Sequence, residues 1–260
     1  MSTSVILIHG EFLSPDCWQG WQQRFATAGH RCLAPAWPYH DRPIGELRQA
    51  PDPRLASLGI GDLVEHYARI VAALPAAPIL IGHSLGGLVM QMLLDRGLGV
   101  AGVGLGALPP RGALPGLSMK GALFISLLAV AGCRRIPTLS LRRFARRMAQ
   151  TQPAAEQAEI YRCLLVPTAG RIVFEAALGI GNSVNFANPA RAPLLLVGGE
   201  EDRIVEPSTL RSLYRAHLRS PAETALRLLP RRSHWLLTEP GWEALADFCL
   251  AWADTHAAGI

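Results

Sequence analysis

"LIGHSLGGL", Leu80 to Leu88, sets one serine among glycines, with an apolar run before it and another after it. Gly82-His83-Ser84-Leu85-Gly86 satisfies the pattern G-x-S-x-G, and its context gives the pattern meaning: Pro78 to Ile81 reads as a short buried strand and Leu85 to Leu94 as an apolar helix. A strand-to-helix turn this sharp holds Ser84 in a strained conformation and lifts its hydroxyl above the sheet. Hydrogen side chains at positions 82 and 86 let neighbouring backbone come close. The plain alternative is a glycine-rich turn whose serine caps the helix.

The pattern extends outward on both sides. Val5 to Ile8 and Arg31 to Ala34 read as strands separated by a helix near Trp21 to Ala28, a β-α-β start. Gly61 to Leu74 has apolar residues at helical intervals, with Asp62 in the first turn and Pro75 as the stop. A glycine-rich strand follows near Val100 to Leu105. The strand-helix rhythm resumes with Pro193 to Gly199, a helix from Pro207 to Leu218, a strand from Thr224 to Leu229 and a helix near Trp242 to Asp254. Such alternation predicts an α/β fold, a mostly parallel central sheet covered by helices on both faces. Between residues 108 and 190, prolines divide short helical segments and no alternating strand stands out. The expected organisation is a core of residues 1–107 and 191–260 with a helical cap inserted at 108–190.

A serine hydroxyl is a weak nucleophile, so it needs a base within hydrogen-bond reach and a group that orients the base. On strand-turn-helix sites the chain order is serine, acid, histidine. After Ser84, "GGEEDRIVEP" puts Glu200, Glu201 and Asp202 at the end of a strand. Asp202 is preferred as the orienter, because a short carboxylate just beyond the sheet has fewer competing rotamers; Glu201 stays as the alternative. Of the histidines that follow, His217 falls in a helix and His256 in the terminal tail, which leaves His234, on the loop after the last strand, as the base. His9 and His83 read as packing residues. The helix that starts after Ser84 aims its backbone N–H groups at the hydroxyl, so Leu85 N–H is the natural first donor of an oxyanion hole. The second is expected from the loop after the first strand, at Glu11, with Phe12 as the fallback.

In that order, "LIHGEF", "GHSLGG", "GGEEDRIVEP" and "SHWL" make the chain resemble the α/β-hydrolase superfamily along nearly its whole length. It is most similar to small bacterial serine hydrolases with "HG-x-x-x-(S/T)-x-x-x-W" after the first strand, here His9, Gly10, Ser14 and Trp18; plant methylesterases and hydroxynitrile lyases share the short N-terminus. The resemblance implies an α/β-hydrolase fold, Ser84 as nucleophile, Asp202 as acid, His234 as base and the N–H groups of Glu11 and Leu85 as oxyanion donors. Two positions depart from the family. Glu11 puts a carboxylate where relatives more often have an apolar or small residue, so its side chain is expected to turn outward if its N–H serves the hole. Arg231-Arg232-Ser233 stands before His234 where many relatives have a glycine, which predicts a stiffer loop or one gripped by ion pairs.

The activity expected is hydrolysis of carboxylic esters with small to medium hydrophobic acyl or aryl groups, with no metal or organic cofactor. A lyase or cofactor-free perhydrolase using the same three side chains, and a ligand receptor with little turnover, are the alternatives. Phe12, Trp235, Phe144, Phe174, Leu178 and the apolar stretch "GLSMKGALFISLLAVAG" are the candidate pocket walls, although core packing explains apolar residues as well. Gly121 to Cys133 is 13 residues long, short of the roughly 20 that a membrane-spanning helix needs, and reads as a buried or lid helix. The net charge is +5, and 24 of the 25 basic residues are arginine. Arg142, Arg143, Arg146 and Arg147 read as a solvated helix face; contact with an anionic membrane rests on charge alone and is not favoured. Nucleic acid is not an expected partner, since no aromatic residues are interleaved for base stacking. The five cysteines show no C-x-x-C spacing and Met1 to Ser4 lead straight into "VILIHG", so the expected setting is the cytoplasm.

Overall fold

The computed structural model describes residues 3–113 and 134–257. Its centre is a six-stranded sheet in which every neighbouring pair is parallel, β1 (Val5–Ile8), β2 (Cys32–Leu33), β3 (Ile79–His83), β4 (Ala101–Leu105), β5 (Leu194–Gly199) and β6 (Thr224–Leu229), ordered β2-β1-β3-β4-β5-β6. Parallel neighbours need crossover helices, and the helices cover both faces, so inner strands are apolar without alternation. Period-two geometry then splits each strand between two cores. Ile6, Ile8, Leu80, Leu194 and Leu196 face α3 (Ile60–Ala72), α4 (Leu85–Asp95) and α8 (Pro207–His217), whereas Val5, Leu7, Ile81, Val103, Leu195 and Val197 face α1 (Gln19–Thr27) and α9 (Trp242–Ala257).

Helix α3 buries Ile60, Leu63, Val64, Tyr67 and Val71, and its Asp62 carboxylate accepts the Gly59 N–H at 2.8 Å, which satisfies one orphan donor of the first turn. Helix α4 is buried from Leu85 to Leu94, because it lies between the sheet and α3. That is why it reads as apolar on every side.

Between β4 and β5 the described chain forms α5 (Leu141–Arg147), α6 (Ala154–Leu164) and α7 (Gly170–Leu178). Polar side chains help tie this segment to the core. Arg48, in α2 (Ile44–Gln49), donates to the carbonyls of Tyr161, Arg162 and Leu165 at the end of α6, where a helix leaves acceptors unmet. The Glu175 carboxylate, paired with Arg171 at 2.7 Å, accepts the Ile60 N–H at the start of α3. The apolar stretch at 121–133 lies outside the described residues. No helix among the described residues is long and apolar enough to cross a membrane.

Candidate active site

Ser84 joins β3 to α4 at φ 55° and ψ −118°, a conformation that a residue with a Cβ adopts only when its surroundings force it. The surroundings do so through backbone bonds. Ser84 N–H donates to Leu105 O at 2.9 Å, and Ser84 O accepts from Gly87 N–H at 3.0 Å and Leu108 N–H at 3.1 Å. A Cβ on Gly82 would stand 2.2 Å from Gly86 O, and one on Gly86 would stand 2.1 Å from Ile8 O. Those contacts are far inside van der Waals distance, so glycine is needed at both positions. Ser84 does occupy the N-cap of α4, yet its side chain makes no capping hydrogen bond. Its hydroxyl is directed to His234 instead.

His234 Nε2 lies 3.0 Å from Ser84 Oγ, and His234 Nδ1 lies 2.7 Å from Asp202 Oδ2. All three side chains are buried. The other Asp202 oxygen accepts the N–H groups of Ile204 and Val205 at 2.7 and 2.8 Å, so the carboxylate is held at both ends and keeps Oδ2 on the ring. An acceptor at Nδ1 fixes the proton there and leaves Nε2 free to accept the serine proton. The chain order serine, acid, histidine thus brings together residues from the ends of β3, β5 and β6.

The loop carrying His234 is gripped as its sequence suggests, but by a residue that sequence reasoning missed. Buried Glu239 accepts the Ser233 N–H at 3.2 Å and the Ser233 hydroxyl at 2.5 Å, also takes the Thr151 hydroxyl, and lies 3.8 Å from Arg232. Arg231 holds φ 56°, a left-handed turn that glycine would adopt at less cost. His83 is a packing residue with a purpose: burial lowers its pKa to about 3, and its neutral ring donates Nε2–H to the His234 carbonyl at 3.0 Å. His9 stacks on Trp37 at 4.7 Å. His217 meets Gln91 at 2.9 Å and His256 bonds Trp252, both apart from this cluster.

Glu11 corrects an expectation. Its side chain turns inward, and Oε2 stands 3.2 Å from Ser84 Oγ. The reason lies in the loop: Gly10 packs so tightly on the elbow that a Cβ there would be 2.9 Å from Ser84 Cβ, and Phe12 turns the chain at φ 62°. Burial raises the Glu11 pKa, opposed by its own backbone N–H, the His234 charge, the Ser84 hydroxyl and the Leu85 N–H. The N–H groups of Glu11 and Leu85, the two donors expected for an oxyanion, here act on the carboxyl group of Glu11. A hydroxyl has one proton, so Ser84 cannot donate to His234 and to an ionised Glu11 together. The hydroxyl must therefore turn from Glu11 to His234 before it can give up its proton.

Of the proposed pocket walls, the apolar stretch at 116–132 lies outside the described residues and Phe174 is half-buried in α7. Trp235 is wholly buried, edge-on to Phe144 at 5.6 Å with its Nε1–H on Thr238 Oγ1 at 2.7 Å, and Phe144 is equally buried, so both are packing residues; Leu178 is 51% exposed. Phe12 is half-buried beside the site. Arg142, Arg143, Arg146 and Arg147 line an open surface cleft with Ser140 and Arg203. No group of three or more His, Cys, Asp or Glu among the described residues is arranged to hold a metal ion.

Solved structures with the same fold cover the chain almost end to end. A monoacylglycerol lipase of Paleococcus ferrophilus superposes with a TM-score of 0.70 at 17% identity, over 98% of this chain and 97% of that one. Tomato methylketone synthase I, complexed with 2-tridecanone, gives 0.70 at 17% identity over 98% and 99%. A pyrethroid hydrolase of Sphingobium faniae JZ-2 gives 0.65 at 20% identity over 99% and 100%. No curated protein matches the sequence. The sequence pattern described as the alpha/beta hydrolase family matches residues 5–248, nearly the whole chain, and the protein belongs to that family.

Proposed function

We propose that this protein is a serine hydrolase that cleaves carboxylic esters of small to medium hydrophobic acyl or aryl acids through an acyl-enzyme on Ser84. The observation that carries the reading is the unbroken relay from Ser84 Oγ to His234 Nε2 at 3.0 Å and from His234 Nδ1 to Asp202 at 2.7 Å. His234 takes the hydroxyl proton as Oγ bonds to the ester carbon, and the carbonyl electrons move to oxygen. The N–H groups of Leu85 and Glu11 stabilise that oxyanion, worth about 3 kcal/mol for each donor. Collapse of the intermediate breaks the bond to the alcohol, which receives the proton from His234. Water then repeats the sequence and frees the acid. Each step uses side chains and backbone of this chain. Two fold neighbours named as a lipase and a hydrolase agree with the reaction class.

Release of p-nitrophenol from p-nitrophenyl acetate and butyrate is the direct test. Turnover above background, lowered about 10⁴-fold or more by Ser84→Ala, is expected; equal rates for the two proteins would refute the reading. One observation favours a second: with Glu11 against Ser84, a ligand receptor of low turnover fits the same site. Thermal stabilisation by an ester that is never converted to product would favour it.

A further inference from the structure

The Glu11 carboxyl lies where the reacting carbonyl of an ester must come. Its Oε2 is 3.2 Å from Ser84 Oγ, within the roughly 3 to 3.5 Å at which reacting atoms approach, and the N–H groups of Leu85 and Glu11 act on it. An ester can bind productively only after this side chain leaves.

The loop cannot carry it away. Gly10 is pressed against the elbow, the Phe12 carbonyl accepts the Val166 N–H at 2.9 Å, and Leu13 pairs with Leu165. Only the side-chain torsions of Glu11 are free to change, and they leave the carboxylate beside the reacting centre. There it has given up its three donors in a half-buried place. Among the described residues Glu11 forms no ion pair with arginine. A stranded carboxylate would also repel the growing oxyanion. A cation on the substrate, beside the reacting carbonyl, would supply such a partner.

We propose that Glu11 determines specificity: the site selects esters that carry an ammonium group two or three bonds from the scissile carbonyl carbon, which pairs with the Glu11 carboxylate as it quits the oxyanion hole. The proposal rests on the ester-hydrolase reading and narrows its substrate class, adding a positive charge next to the carbonyl to the otherwise hydrophobic acyl group. A cationic acyl group gives the displaced anion a charge-assisted hydrogen bond, and a neutral one of equal size gives it nothing.

Two isosteric pairs of p-nitrophenyl esters test this, glycyl against propionyl and β-alanyl against butyryl, with the full-length protein and its Glu11→Gln and Glu11→Ala variants. Wild type is expected to favour the ammonium esters in kcat/KM by about 10-fold or more. Glu11→Gln keeps the shape and the backbone N–H, and should erase the preference while speeding the neutral esters by a similar factor. An unchanged preference in both variants, or none in wild type, would overturn the proposal. Fluorophosphonate labelling of Ser84 separates the two layers. Labelling with no ester preference overturns the role of Glu11 alone, whereas no labelling in wild type or in either folded variant overturns the hydrolase reading and this proposal together.

Discussion

Asp202→Asn preserves the shape of the acid and inverts its chemistry. In the native site one carboxylate oxygen accepts two backbone N–H groups, from Ile204 at 2.7 Å and Val205 at 2.8 Å, and the other accepts His234 Nδ1–H at 2.7 Å. An amide has one oxygen. If that oxygen stays on the two backbone donors, the NH₂ group faces Nδ1 and makes it an acceptor, so the ring proton moves to Nε2. An Nε2–H donates toward Ser84 Oγ, 3.0 Å away, and can no longer take its proton. The loss should be about 10⁴-fold in kcat, near 5 kcal/mol of transition-state stabilisation. Flipping the amide restores the tautomer but points NH₂ at two N–H groups, so it offers no cheap escape. The assay is kcat on p-nitrophenyl butyrate beside a thermal melt, with the fold expected to persist because the side chain keeps its volume. A folded Asp202→Asn protein with a tenth or more of wild-type kcat would refute the assignment of the orienting acid.

Two further outcomes follow from packing and burial. Gly86→Ala drives a methyl to within 2.1 Å of Ile8 O, where backbone must shift; a loss of about 3 kcal/mol or more, near 10 °C in Tm, is expected, and a melt unchanged within error would contradict the geometry. Burial lowers the pKa of His9, His83 and His217 to about 3 and of His40 to about 4, from 6.5. An unfolded chain takes up these protons near pH 6.5 and the folded one refuses them. The stability they allow is complete above that pH and falls as pH drops from 6.5 toward 3. Glu11, raised by burial, works in the opposite sense, one group against four. The urea midpoint should therefore be lower at about pH 5 than at about pH 7.5, and an equal or higher midpoint would contradict the buried neutral state of these rings.

The features legible in the sequence are those that local chemistry decides. Ser84 announces itself because only a sharp strand-to-helix turn needs glycine at both 82 and 86, and Asp202 and His234 because strand ends in an α/β sheet share one edge. The strands matched well where they are buried on both faces, as at Val5 to Ile8. The strand read at Arg31 to Ala34 shrinks to Cys32 and Leu33, an edge that pairs on one side alone. Illegible were the choices made by distant packing. Phe144 and Trp235 carry the same hydrophobic signal whether they wall a pocket or fill a core, and they fill a core. Glu239 reads as one more acid in a polar loop until Ser233, Thr151 and Arg232 gather round it. Glu11 shows an unusual charge in the sequence, but its direction is fixed by Gly10 on the elbow and by Phe12 bound to Val166, contacts that no local pattern reveals.

The central claim is that the Ser84 hydroxyl is activated as a nucleophile. Intact-mass and peptide mass spectrometry after treatment with a fluorophosphonate measures this most directly. The account predicts a single adduct on Ser84 that is abolished in Ser84→Ala and formed far more slowly in His234→Ala; an adduct on another residue, or none on the folded protein and its Glu11 variants, would contradict it.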